Sequence, residues 1–427
     1  MKKRMYKIMA LAMTAAMVVP MAAQTTAFAA DDKEITYWNI AVESPDKDIV
    51  TAAVDKFNKE TESGYTVNQV SIQNDTYKEK LVIAMSSGEC PDMYSSWSGG
   101  PMYEYIDSGF AQPIDDLLDQ SDIKDKLLDA AIEQGSYNGH VYAIPYLNVS
   151  LAGIFYNKDM FKQYGLEEPK TLADLENICA TLKENGITPF ALANASKWTG
   201  SMYFMSLAAR YGGLEPFQNA VAGTGKFTDD CFIKAGEKIQ EWVNNGYFPD
   251  GVNSLSEDDG QAKQLMYQET AGMLLCGSWY TGTFQSDSEE FYQKIGWFPF
   301  PAIDGSDADP TIQIGTVGDQ FISFNCEGDK LAAAFECAED HLSDEVADIT
   351  YSNNKIVPVK DAGDHITDPV VKEIFDAAQE ASSIQLWYDQ YLPTSVASAH
   401  LDGLQEVFGL TKTPQEAQEE MQTAMDE

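Results

Sequence analysis

From Glu34 the chain alternates apolar and polar positions, Glu-Ile-Thr-Tyr-Trp-Asn-Ile, and this β-rich pattern predicts a first strand over 34–40. The period then changes. Ile49, Val50, Ala53, Val54 and Phe57 fall at helical spacing within 48–62, and Gly64 supplies the stop. A second strand is predicted over 65–72, a helix over 76–87 closed by Gly88, and a short third strand over 92–96 running into Trp97-Ser-Gly-Gly100. The order β-α-β-α-β is that of a doubly wound α/β layer, where ligands sit beyond the carboxyl ends of strands.

The same logic repeats further on. Segments 141–145 and 151–156 read as strands, and 158–164 as a helix ended by Gly165. Thr171-Leu-Ala-Asp174 opens a helix as a capping-box variant, stopped near Gly186. Strands follow at 188–192, 271–276, 312–315 and 319–325, with helices at about 199–211, 229–245 and 258–268. Beyond Lys330 the pattern is mostly helical, and Thr413-Pro-Gln-Glu416 begins the last helix with Pro at N1 and Glu at N3. No Pro/Gly-rich linker separates two α/β layers, which points to lobes sharing several chain crossings.

The 427 residues carry 28 basic and 67 acidic side chains, a net charge of −39, and Arg210 is the sole arginine beyond residue 30. That balance excludes a nucleic-acid partner, which needs a basic surface. The N-terminus has basic residues 2–7, an apolar run over 8–23, and Ala27-Phe28-Ala29 before the acidic Asp31-Asp32. This is the layout of a secretory signal peptide over 1–30, cleaved near Ala29/Ala30. The expected localisation is extracytoplasmic: extracellular, at the cell surface or in a periplasm. The six cysteines, Cys90, Cys179, Cys231, Cys276, Cys326 and Cys337, form no CxxC pair and read as free thiols.

Motifs for chemistry are mostly excluded. Around Gly223-Thr-Gly-Lys226 a phosphate loop would need Gly at 220 and Ser or Thr at 227, where Ala220 and Phe227 stand. No H-E-x-x-H and no G-x-S-x-G occur, and His140, His341, His365 and His400 are dispersed. The acidic run Asp304-Gly-Ser-Asp307-Ala-Asp309 breaks EF-hand spacing. Neither metal nor cofactor is expected. A carboxylate pair for glycoside hydrolysis can always be drawn among 67 acids, so it carries little information.

Tryptophan placement is more informative. Trp97, Trp198, Trp279 and Trp387 sit in polar or glycine-rich contexts such as Ser-Trp97-Ser-Gly-Gly and Gly-Ser-Trp279-Tyr-Thr-Gly. Such rings either pack at lobe seams or stack on sugars, whose C–H faces are apolar and whose equators are polar.

An ordered set of segments then resembles one family, the extracellular solute-binding proteins of carbohydrate ABC importers (family 1, the maltose-binding-like group). The segments are Ser87-Gly-Glu-Cys-Pro-Asp92, 105–115, Val141-Tyr-Ala-Ile-Pro145, Phe155-Tyr-Asn-Lys-Asp-Met-Phe161, 169–175, 186–190 and Gly272-Met-Leu-Leu-Cys-Gly-Ser-Trp279. The resemblance implies a two-lobed α/β fold like that of the type II periplasmic binding proteins, with an interlobe cleft. It places lobe 1 at 31–143 and 280–316, and lobe 2 at 147–276 and 319–427. It implies a monomer that binds carbohydrate without turnover and passes it to membrane permease subunits. By position, Trp97 and Ser98 would line the first lobe's wall, Trp279 and Tyr280 a crossing, and Asp319 a polar site. Trp387 would stack while Asp389 and Gln390 bind hydroxyls, with Glu43, Asn148 and Trp198 as further candidates. Unlike many members, the chain has no cysteine after the signal peptide for a lipid anchor. Two other readings remain open from residues alone: a secreted glycoside-active enzyme, and a same-fold binder of a non-sugar ligand such as a polyamine.

Overall fold

The computed structural model describes residues 33–427, so the segment read as a signal peptide lies outside the described residues. Two sheets organise the chain. The first has five strands in the order Thr66–Ser71, Glu34–Asn39, Met93–Ser96, Gln320–Phe324, Ala143–Leu147. The first three are parallel, and Gln320–Phe324 runs antiparallel to both of its neighbours. The second sheet is built on Ser150–Asn157, flanked by Ala271–Gly277 on one side and by Gln313–Thr316 and Ile295–Phe298 on the other. Thr188–Phe190 and Ile384–Gln385 complete its edges. Every residue of Ser150–Asn157 and of Ala271–Gly277 is buried, as expected for strands covered by helices on both faces.

Local signals set several helix ends. Asn74–Ser87 and Lys158–Tyr164 stop at Gly88 (φ 76°) and Gly165 (φ 67°), left-handed positions where a Cβ would be strained. Both capping boxes form: Thr171 with Asp174 begins Leu172–Glu184, and Thr413 with Glu416 begins Pro414–Asp426. All six cysteines are free thiols, five of them buried.

The chain crosses between sheets at Asn148–Val149, at Val317–Asp319 and again after Asp344–Ser352, a helix that packs on Asp46–Glu60, before Pro369–Glu380 packs on Ile295–Phe298. Sheet membership therefore corrects the expected lobe boundaries. Ile295–Phe298 and Gln313–Thr316, assigned with 280–316 to the first lobe, are strands of the second sheet. Gln320–Phe324, assigned with 319–427 to the second lobe, lies in the first sheet between Met93–Ser96 and Ala143–Leu147. The ladder that decides this pairs Phe321 with Ser96 and Phe324 with Met93, and is reinforced by the Ser96–Ser323 hydroxyl bond of 2.7 Å. The first segment also runs to Leu147 rather than 143.

Candidate functional site: a cleft between the lobes

The carboxyl ends of strands from both sheets converge on one cleft, with about 1260 Å³ of non-protein space including its open mouth. From the first lobe come the turn after Glu34–Asn39, the start of helix Asn74–Ser87, and Trp97 at the end of Met93–Ser96. From the second come the start of helix Trp198–Gly212, the Glu257–Gly260 turn, Trp279 after Ala271–Gly277, and Trp387–Gln390. Asp319 and Gln320 contribute from the second crossing. This is the position at which α/β sheets bind ligands.

Three indoles form a continuous group on the second lobe. Trp279 lies 6.0 Å from Trp198 (interplanar angle 58°) and 6.0 Å from Trp387 (68°). A Cβ at Gly277 would overlap the Trp279 ring, so glycine lets that ring fold back onto its own strand. On the first lobe Trp97 is set edge-on against Tyr77 at 6.0 Å, and Tyr77 donates its hydroxyl to the Ser95 carbonyl at 2.6 Å. Lys78 Nζ lies 4.9 Å from the Trp97 ring centre and 3.6 Å from an Asp389 oxygen, linking the walls. Gly99 and Gly100 allow another link: a Cβ on either would strike the backbone of Gln390–Leu392.

Charge in the cleft is largely carboxylate. Burial pushes Asp319 up to about 7, against the pull of Lys355, and its carboxylate has no hydrogen-bond partner among the described residues. Burial likewise raises Glu257 to about 7, and the Tyr280 hydroxyl donates to Glu257. Lys355, almost fully buried, pairs with Asp46 at 2.5 Å beneath the site.

Among the expected site residues, Glu43, Trp97, Trp198, Trp279, Tyr280 and Asp319 line this cleft, as do Trp387, Asp389 and Gln390. Tyr280 is buried against Phe155 and Phe284, so its contribution is to orient Glu257 rather than to present a ring face. Ser98 sits in a small side cavity with Trp97 and Trp387. Asn148 is corrected: it lines neither space. It is buried in the first crossing at φ 44°, where its side-chain oxygen accepts from the Ile356 amide at 2.9 Å and its amide reaches Ser278 at 3.4 Å. A positive φ and a demand for backbone partners explain an Asn there. Sequence reasoning missed Lys78, Glu257, Asp258 and Gln320, as well as Met202 and Met205, which stand at helical spacing after Trp198. Only that last spacing was a usable signal.

Two arrangements bear on catalysis and metals. Ser201 Oγ and His400 Nε2 are 2.7 Å apart, a nucleophile–base distance, but both residues are fully buried and, among the described residues, His400 Nδ1 has no partner to orient it. Among the described residues, no group of three or more His, Cys, Asp or Glu is placed to hold a metal ion.

The family model for bacterial extracellular solute-binding proteins matches residues 41–339, and the chain belongs to that family. Its similarity to individual proteins agrees. It is 32% identical over 228 residues to an uncharacterized ABC transporter extracellular-binding protein of Pyrococcus horikoshii, covering 53% of this chain and 50% of that one. It is 30% identical over 178 residues to the multiple sugar-binding protein of Streptococcus mutans, covering 38% of this chain and 39% of that one. The chain thus spans about half the length, or less, of these curated relatives. Whole-chain likeness comes from solved structures. One, from work on xylan utilization by the thermophilic bacterium Caldanaerobius polysaccharolyticus, has a TM-score of 0.83 at 29% identity, covering 91% of this chain and 99% of its own. A chitin oligosaccharide binding protein has a TM-score of 0.83 at 23% identity over 92% of this chain and 98% of its own, a likeness of fold. The fold is the two-lobed α/β fold of solute-binding proteins.

Proposed function

We propose that the protein captures a carbohydrate of oligosaccharide length in this cleft, without altering it, and delivers it to the permease of an ABC importer. The observation that carries the reading is the arrangement of rings: Trp97 on one wall, Trp198, Trp279 and Trp387 on the other, with Asp319 and Asp389 among them. Rings cover the apolar faces of a sugar, and carboxylates accept from its hydroxyls. The sugar-binding names of relatives from other organisms support the same class of ligand.

In this reading lobe 1 comprises 33–147 and 320–352, lobe 2 comprises 150–316 and 369–427, and the three crossings act as hinges. A ligand touching both walls shifts the population toward the closed form that a permease reads. Export through segment 1–30 and action as a monomer belong to the same proposal.

Calorimetric titration against mono-, di- and oligosaccharides, with product analysis of each mixture, tests it. Saturable binding near ~1 μM, about −8 kcal/mol, with no product is the expected result. Product formation would instead establish a glycoside-active enzyme. The acidic lining favours one second reading, a polyamine ligand, and titration with spermidine separates the two.

A further inference from the structure

We infer that the cleft discriminates by charge, admitting neutral sugars and rejecting those that carry a carboxylate or phosphate. This rests on the carbohydrate reading above and adds the chemical class within it.

Among the described residues six carboxylates line the cleft, Glu43, Asp46, Glu257, Asp258, Asp319 and Asp389, against two lysines, Lys78 and Lys263. Both lysines are already committed. Lys78 faces Asp389 at 3.6 Å and the Trp97 ring. Lys263 lies 2.9 Å from Asp287 and 3.5 Å from Glu43. Lys355, behind the lining, is held by Asp46. Arg210 is buried elsewhere and donates to the Phe300 and Ile312 carbonyls.

A helix N-terminus is the other common seat for an anion, because its first amides are unpaired and its dipole is positive. Among the described residues four helices of eight residues or more begin at the cleft, Asp46–Glu60, Asn74–Ser87, Trp198–Gly212 and Tyr280–Asp287, and each has a first-turn amide already bonded. The Lys47 amide donates to the Glu43 carbonyl at 2.9 Å and the Thr281 amide to the Ser278 carbonyl at 3.1 Å. The Asp75 amide of Asn74–Ser87 donates to Asp258 at 3.0 Å. The Gly200 amide of Trp198–Gly212 donates to the Asn194 side chain at 3.0 Å.

What remains open to a ligand is acceptor-rich. Among the described residues the Asp319 carboxylate has no internal donor, so it suits a ligand hydroxyl or N–H. A ligand carboxylate brings acceptors only, loses its water, and meets like charge in a partly enclosed space. The raised values of Asp319 and Glu257 agree with a site already poor in compensation for negative charge.

The test is calorimetry at pH 8 and low salt with matched pairs: cellobiose and cellobiouronic acid, galactobiose and digalacturonic acid, xylotriose and its glucuronosyl-substituted form. In whichever pair the neutral member binds, the acidic member is expected to bind at least tenfold more weakly. The ratio is expected to narrow in Asp319→Asn and, as an independent variant on the rim, in Glu43→Gln. Equal or tighter binding of the acidic member overturns the inference and leaves the carbohydrate reading intact. A ratio unchanged in both variants also overturns it, because the discrimination would then be steric. Binding of no sugar in any pair would instead overturn the carbohydrate reading.

Discussion

Asp258, on the second lobe, accepts a hydrogen bond from the backbone amide of Asp75, on the first, at 3.0 Å across the cleft. Asp75 lies in the first turn of helix Asn74–Ser87, whose own N-cap residue, Gln73, makes no side-chain cap bond. The cap is therefore supplied by the other lobe. Burial raises the Asp258 carboxyl while this backbone bond pulls it back down. A side-chain cap contributes about 0.5–2 kcal/mol, and this one is available only when the lobes are together. Asp258→Ala should weaken sugar affinity by about fivefold or more, and Asp258→Asn, which keeps an oxygen, by less. The unfolding temperature without ligand should change little. Titration and thermal melts of the two variants check this; equal affinity in both would show that the bond does not assist closure.

The aromatic walls make a second expectation. Trp97 and Trp279 stand on different lobes, and each is part-buried beside another ring. Truncating a stacked ring forfeits its burial plus about 0.5–1.5 kcal/mol of ring contact. Trp97→Ala and Trp279→Ala should each lower affinity at least tenfold, whereas Trp97→Phe should retain most of it. Trp279→Ala should also lower the melting temperature, because Trp198 and Trp387 both rest on that ring.

Asp319 gives a pH-dependent prediction with a definite sign. Its folded value, about 7, lies above the ordinary carboxylate range because of burial. Between that range and pH 7 the folded state keeps a proton that the unfolded chain has released, so this group weakens the fold as pH rises through the window. Asp319→Asn should stabilise the ligand-free protein by about 1–2 kcal/mol at pH 8, and the gain should shrink toward pH 4. Buried His341 and His400, lowered to about 4 and about 3, act in the opposite direction at acid pH. They are present in both proteins and cancel in the comparison. The same variant should lose sugar affinity, marking Asp319 as a group kept for binding at a cost in stability. Denaturation curves at pH 5 and pH 8 measure the difference.

Asn148 should behave as a hinge residue. Asn148→Ala removes the 2.9 Å bond from the Ile356 amide and leaves alanine, which tolerates the left-handed region less well than asparagine, to hold φ 44°. A loss of about 1–3 kcal/mol of stability is expected, read by chemical denaturation, with a smaller loss in Asn148→Gly, which gives up the bond but holds φ 44° without strain.

What the sequence revealed was local. The capping boxes at Thr171 and Thr413 and the stops at Gly88 and Gly165 depend on residues within one turn, and each stands where its neighbours placed it. Sheet membership around Val317-Gly318-Asp319 did not show, because a crossing of three residues leaves no compositional mark and the choice is made by a distant ladder to Ser96 and Met93. Ile295–Phe298 went unseen as a strand: a four-residue apolar run has no period to read. In the site, the tryptophans were legible because a large ring in a glycine-rich polar turn is unusual. Glu257 and Asp258 were not, since nothing local separates them from the other acids; their role comes from Tyr280 and Asp75 arriving from elsewhere in the chain.

Whether a sugar is held between the two aromatic walls is decided by calorimetric titration of the protein beside Trp97→Ala and Trp279→Ala with the same neutral oligosaccharides. One site near ~1 μM is expected, with at least tenfold weaker binding when either wall loses its ring and unchanged sugar recovered at the end. Affinity indifferent to both substitutions, or no heat with any sugar, would contradict it.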